Sequence, residues 1–127
     1  MKKLLIFLFS ILISFNSYGE WELIGGDVNG NDVYIDKDTI KEHGGHVYAW
    51  TMRNYLEPSP EGVLSTKLYR KVDCYVNREM ILSFVAYDQS MGIGKTLATY
   101  TPPKEWDYPS PGTISANSLK YICGYAD

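Results

Sequence analysis

Apolar and polar residues alternate with a period of two along most of the chain, the pattern of strands that bury one face. Trp21 to Ile24 reads as a first short strand, ended by Gly25-Gly26 and a turn over Asp27–Asp32 that holds two Asn, two Asp and a Gly. Val33-Tyr34-Ile35 resumes as a second strand and stops at Asp36. Asp38-Thr39-Ile40 is expected to form a single helical turn, with Asp36 or Asp38 capping its free amides. His43-Gly44-Gly45-His46 is a tight turn into a third strand, Val47 to Tyr55. In that strand Tyr48, Trp50 and Met52 share one face and Val47, Ala49 and Thr51 the other.

After the loop Pro58–Gly62, a long strand is predicted from about Ser65 to Val76. Leu68, Val72, Cys74 and Val76 lie on its core side, while Lys67, Tyr69, Lys71, Asp73 and Tyr75 lie opposite. Arg70 is the misfit, a charge on the apolar side. Asn77-Arg78-Glu79 turns the chain into an apolar central strand, Met80 to Tyr87, and Asp88 to Gly94 is expected to be a flexible connection. Leu97 to Tyr100 is a further strand, stopped by Pro102-Pro103. Past the Pro109–Gly112 turn, Ser115 to Cys123 reads as a short helix ending at Gly124, with Ile114, Leu119, Ile122 and Cys123 toward the sheet.

The N-terminus adds a destination. Met1-Lys2-Lys3 is a short positive segment, Leu4 to Phe15 is apolar apart from Ser10 and Ser14, and Ser17-Tyr18-Gly19 offers small residues where a signal peptidase cuts. The apolar run of about twelve residues is shorter than the roughly 20 that span a bilayer. Residues 1–19 are therefore expected to be a signal peptide cleaved before Glu20, leaving residues 20–127 as one exported domain with no membrane span. That domain carries 10 of the 12 Lys and Arg and all 15 Asp and Glu, a net charge of −5. Such a balance argues against a nucleic-acid binder, which would present a basic stripe. Ten tyrosines and three tryptophans follow residue 19, a composition that suits sheet faces and protein-binding surfaces.

Cys74 and Cys123 are the only cysteines. In an oxidising compartment an isolated pair is most simply a disulfide, and a loop of about 50 residues makes it worth roughly 4 kcal/mol in the chain-entropy model. Redox or metal chemistry would need a Cys-x-x-Cys or a nearby His, and neither is present.

Other motifs carry little chemistry. Gly92-Ile93-Gly94-Lys95-Thr96 contains the end of a phosphate-binding loop, but Gln89 stands where its first glycine belongs. His43 and His46 supply two metal ligands at most, so a site would need Glu42 or Asp38 as well. No nucleophile elbow occurs and neither histidine sits in a triad context. The sequence thus names no catalytic, metal-binding or cofactor-binding residue and no cofactor. Lys67, Arg70, Lys71 and Arg78 cluster along the long strand and its turn, and are the candidate protein-binding residues, a docking patch for an acidic partner or polyanion. The competing view is a solvated strand face whose lysines guard an edge.

In their order along the chain these landmarks resemble the surface-adhesin protein E family, small exported domains of Gram-negative bacteria. The matching elements are Trp21, Val33-Tyr34-Ile35-Asp36 with Thr39-Ile40, Val47 to Tyr55 around Trp50, and Ser65 to Cys74. Met91-Gly92-x-Gly94, Trp106, Pro109-Ser110-Pro111-Gly112 and Leu119 to Cys123 complete the set, which covers nearly all of residues 20–124. The resemblance implies an α+β fold: an antiparallel sheet of about six strands packed against a short C-terminal helix, with the one disulfide Cys74–Cys123. It also implies a non-enzymatic binding protein for host matrix or plasma proteins such as vitronectin and laminin, able to form a homodimer. The lipid-bearing cysteine of the adhesin that names the family is missing here, so either periplasm or cell surface is compatible with export. The alternative function is a periplasmic inhibitor or envelope-maintenance protein, such as a lysozyme inhibitor, using the Pro58–Gly62 or Asp88–Gly94 loop.

Overall fold

A computed structural model describes residues 21–126; the signal peptide expected at residues 1–19 and its cleavage point lie outside the described residues. Six strands follow one another, β1 (Trp21–Gly26), β2 (Asp32–His43), β3 (His46–Asn54), β4 (Ser65–Asp73), β5 (Arg78–Tyr87) and β6 (Thr96–Tyr100). A helix, α1 (Ile114–Ala126), comes last. Each strand pairs antiparallel with the next, so the sheet is a meander in the order β1-β2-β3-β4-β5-β6. Local chemistry makes the turns. Gly44 (φ 60°) and Gly45 (φ 82°) both sit in the left-handed region that a two-residue hairpin of this hand requires, and His43 pairs with His46 across them. Between β1 and β2, the Asp27 carboxylate accepts the backbone N–H groups of Asn29 and Asn31 at 2.9 and 3.0 Å.

The core lies between the sheet and α1. Ile35, Val47, Ala49 and Val72 supply the sheet side, Leu119 and Ile122 the helix side. The helix packs over β2 and, to a lesser extent, β1 and β3, where small Ala49 lies in the shared core with Leu119 and Ile122. Thr113 caps α1 by accepting the Ala116 N–H on its hydroxyl. Cys123 is bonded to Cys74, with their Cα atoms 5.8 Å apart, so the cross-link ties the last turns of the helix to the chain just beyond β4. The α+β architecture and the disulfide are as expected. Among the described residues no helix is long and apolar enough to cross a membrane.

Three local expectations are corrected. Asp38-Thr39-Ile40 is not a helical turn but part of β2, within an irregularity that shifts the register between Asp36 and Lys41. Asp36 does receive the Asp38 N–H, yet the Thr39 hydroxyl donates to the Asp36 carbonyl and accepts the Trp50 N–H, so strand pairing continues through a side chain. The Asp88–Gly94 connection is tied down, because Asn54 Oδ1 accepts the Met91 N–H while Ser65 Oγ donates to the Gln89 carbonyl and accepts the Gly92 N–H. Finally, α1 runs through Gly124 to Ala126, where the stacked rings of Tyr121 and Tyr125 and the packing of Ala126 on the core carry it past the expected stop.

Candidate functional site

The sheet face opposite α1 is where the aromatic and basic side chains gather. Alternation alone sends Tyr48 and Trp50 of β3, and Lys67, Tyr69 and Lys71 of β4, to that face, and the register sets Trp50 beside Tyr69 and Tyr48 beside Lys71. The Trp50 and Tyr69 ring centroids lie 4.9 Å apart, and Tyr69 stacks on Tyr48 at 6.0 Å. These pairs form an aromatic floor running along the middle of the sheet.

A cation stands at each end of the floor. Lys67 Nζ lies 5.6 Å from the ring of Trp21 and 5.1 Å from the ring of Tyr87. Those rings belong to β1 and β5, four strand spacings apart and hence about 19 Å across a flat sheet. One ammonium lies between them, so long side chains lean in across the intervening strands and enclose a concave cleft on this face. At the other end Trp106, on the segment that crosses from β6 to α1, receives Lys71 Nζ at 5.6 Å, the Arg78 guanidinium at 4.1 Å and the His46 ring at 5.5 Å. The backbone of Glu79 exchanges two hydrogen bonds with that of Asp107, which holds the Trp106 segment against β5.

Three of the four basic candidates therefore share one surface, and the fourth does not. Arg70 is on the helix side of the sheet, only 4% exposed, with Nε donating to Thr51 Oγ1 at 2.7 Å and Nη1 paired with the equally buried Glu79. Its expected place in a docking patch is corrected: it is a core-side ion pair that no partner can reach. Arg78 is partly engaged, donating to Asp73 at 3.0 Å. The hydrogen bond to the Tyr108 hydroxyl, followed by the one to Asp73, raises the Arg78 pKa. Burial pushes the Asp73 carboxyl upward, but hydrogen bonds from Arg78 and the Tyr75 backbone outweigh it and leave its pKa lowered. Lys67 and Lys71 form no ion pair among the described residues.

Sequence reasoning placed β3 and β4 side chains on one face, but it missed Trp21, Tyr87 and Trp106, which close the ends. The signal for them was their residue type alone. His43 and His46 are register partners across the Gly44-Gly45 turn and face Tyr48 and Trp106 respectively. Among the described residues no cluster of three or more His, Cys, Asp or Glu side chains is arranged to hold a metal. A cleft of about 250 Å³ opens at the Lys67 end, lined by Trp21, Asp36, Trp50, Lys67 and Tyr87. A separate groove of about 560 Å³ runs beside α1, where Pro109, Pro111, Leu119 and Lys120 line it.

With this geometry in view, comparison with known proteins is informative. The family described as surface-adhesin protein E matches residues 21–124. One solved structure of Haemophilus influenzae protein E is 22% identical, with a TM-score of 0.63 over 82% of this chain and 83% of that one. A second crystal form is 22% identical, with a TM-score of 0.62 over 78% and 85%. Its selenomethionine form is 24% identical, with a TM-score of 0.61 over 79% and 84%. At these identities the likeness is one of fold. No curated protein matches the chain in sequence.

Proposed function

The chain belongs to the surface-adhesin protein E family, and from that premise we propose that it is an exported, non-enzymatic protein that binds a protein partner on its concave sheet face. The partner is a host extracellular-matrix or plasma protein, and the cell surface of a Gram-negative bacterium is where the two meet. The observation that carries this reading is the aromatic floor of Tyr48, Trp50 and Tyr69 flanked by Lys67 and Lys71, two cations without ion-pair partners among the described residues. Aromatic side chains bring large contact area at small entropic cost, and flanking cations orient an acidic partner. Arg78 contributes at the rim, where its Asp73 partner leaves it a smaller share. A homodimer is part of the same proposal. It is supported by β6, whose five residues are all exposed along a sheet edge that pairs with no further strand among the described residues and onto which a second copy can add.

Protease shaving of intact bacteria, with a periplasmic protein as lysis control, tests the location. Release of peptides from residues 20–127 while the control stays whole is the expected result. Protection until the outer membrane is opened would remove the adhesive role.

A further inference from the structure

The cleft at the Lys67 end has a composition of its own. It takes one side chain from each of five consecutive strands: Trp21 from β1, Asp36 from β2, Trp50 from β3, Lys67 from β4 and Tyr87 from β5. Trp21, Asp36 and Trp50 are register neighbours, so a carboxylate stands between two indoles in a row across the sheet. Lys67 and Tyr87 face that row from the other side.

We propose that this cleft binds one acidic sugar residue, a hydroxyl-bearing ring that carries a single carboxylate. The inference does not rest on the protein-binding reading and holds whether or not a protein docks on the same face. Lys67 is the anion donor. Among the described residues no carboxylate lies within ion-pairing distance of its ammonium, and its stem passes close to the backbone of Gly92. A Cβ added at Gly92 would lie 2.4 Å from Lys67 Cε and 3.2 Å from Nζ, so the turn leaves the stem room only because residue 92 is glycine. The rings of Trp21 and Tyr87, at 5.6 and 5.1 Å, set the ammonium over the cleft.

Asp36 selects a sugar over an acidic peptide. Its Oδ1 already accepts the Asp38 N–H, and a carboxylate in the cleft wall can take further hydrogen bonds only from donors. A sugar ring brings hydroxyl donors to Asp36 while its own carboxylate meets Lys67. An Asp or Glu side chain of a protein carries the same single charge but brings no hydroxyl donor for Asp36. The Trp21 and Tyr87 rings carry negative π-density already shared with the Lys67 ammonium. The indole of Trp50, which no cation faces among the described residues, is the ring that attracts the polarised C–H bonds of a sugar face. At about 250 Å³ the cleft falls just below pockets for drug-sized ligands, which begin at about 300 Å³, and suits a single ring.

The test is an NMR titration of the purified protein with sodium glucuronate, following the indole N–H signals of its three tryptophans. Glucose and sodium propionate are run in parallel as the uncharged ring and the acidic side chain. We expect saturable movement of the Trp21 and Trp50 signals at a Kd on the order of 1 mM, with Trp106 still. Glucose and Lys67→Met should each weaken binding by at least about tenfold, the size of a lost charge-assisted hydrogen bond. Asp36→Asn, a conservative change on β2, should weaken it several-fold and serves as the second variant if Lys67→Met fails to fold. Absence of saturable movement would overturn the proposal. So would glucose or propionate binding as tightly as glucuronate, or Lys67→Met and Asp36→Asn both binding like the parent.

Discussion

Arg70 and Glu79 form an ion pair on the helix side of the sheet, each only 4% exposed, and the Thr51 hydroxyl takes a second hydrogen bond from the same guanidinium. A buried pair of this kind is costly to break and cheap to replace, because removing one partner leaves an uncompensated charge in a low-dielectric site. Arg70→Met is therefore expected to destabilise the fold by about 3–5 kcal/mol, whereas Arg70→Met combined with Glu79→Leu recovers most of that loss. Urea unfolding of the single and double variants measures the difference. A single variant as stable as the parent would show that the pair contributes nothing.

How the residues around this pair were legible is instructive. Arg70 stood out in the sequence as a charge at a core-facing position, but its partner did not. Finding Glu79 requires the β4–β5 register, which shifts between Tyr69 and Arg70 and so cannot be counted from either strand alone. The sheet itself was readable because Gly44-Gly45 and the alternation through β3 and β4 are local signals. The helix was readable from the Pro-Gly turn before it and the spacing of Leu119 and Ile122. The Thr39 hydroxyl that keeps β2 paired through its irregularity, and the Asn54 and Ser65 side chains that anchor the turn at Met91-Gly92, act across 11 to 37 residues of sequence. No periodicity reports such contacts. The concave face was half legible: its floor follows from alternation, while its ends depend on side chains from distant strands converging on Lys67 and on the path of the segment that carries Trp106.

Gly92 offers a second test. Its φ of +66° is already unfavourable for any residue with a Cβ, and that Cβ would meet Lys67 and the Met52 sulfur, the latter at 3.2 Å. Gly44 has a similar φ of +60° but open space around it. Gly44→Ala should then cost about 1–2 kcal/mol, the backbone penalty alone, and Gly92→Ala measurably more. Thermal unfolding of the two variants side by side checks the order.

The Cys74–Cys123 bond encloses a sequence separation of 49 residues. Its loss in a Cys74→Ala/Cys123→Ala double variant is expected to lower stability by about 4 kcal/mol. Denaturant unfolding under non-reducing conditions reads this directly. An unchanged midpoint would mean that the packing of α1 through Leu119 and Ile122 suffices without the cross-link.

Alkaline pH should weaken the fold through Tyr121. Its hydroxyl donates to Glu22 on β1, and that hydrogen bond, with burial and the Glu22 charge, pushes the phenol up to about 12 from an ordinary value of 10.0. A pKa raised in the folded state means that the folded protein holds the proton more tightly, so the contribution is complete below pH 10 and disappears as pH rises toward 12. Tyr121→Phe should flatten the stability profile in that window while leaving the neutral-pH profile parallel to that of the parent. A parent profile already flat between those limits would contradict the assignment.

Equilibrium binding to immobilised vitronectin and laminin tests whether the concave face is the binding surface. Three proteins are compared: the parent, Lys67→Met/Lys71→Met on the open face, and Lys120→Met on exposed helix surface. Methionine keeps the apolar stem of each lysine, so only the charge is removed. The account predicts saturable binding by the parent to at least one of the two, a loss of at least about tenfold in the double variant, and no change for Lys120→Met. Equal binding by the parent and the double variant, an equal loss from Lys120→Met, or no binding by the parent to either protein would contradict it.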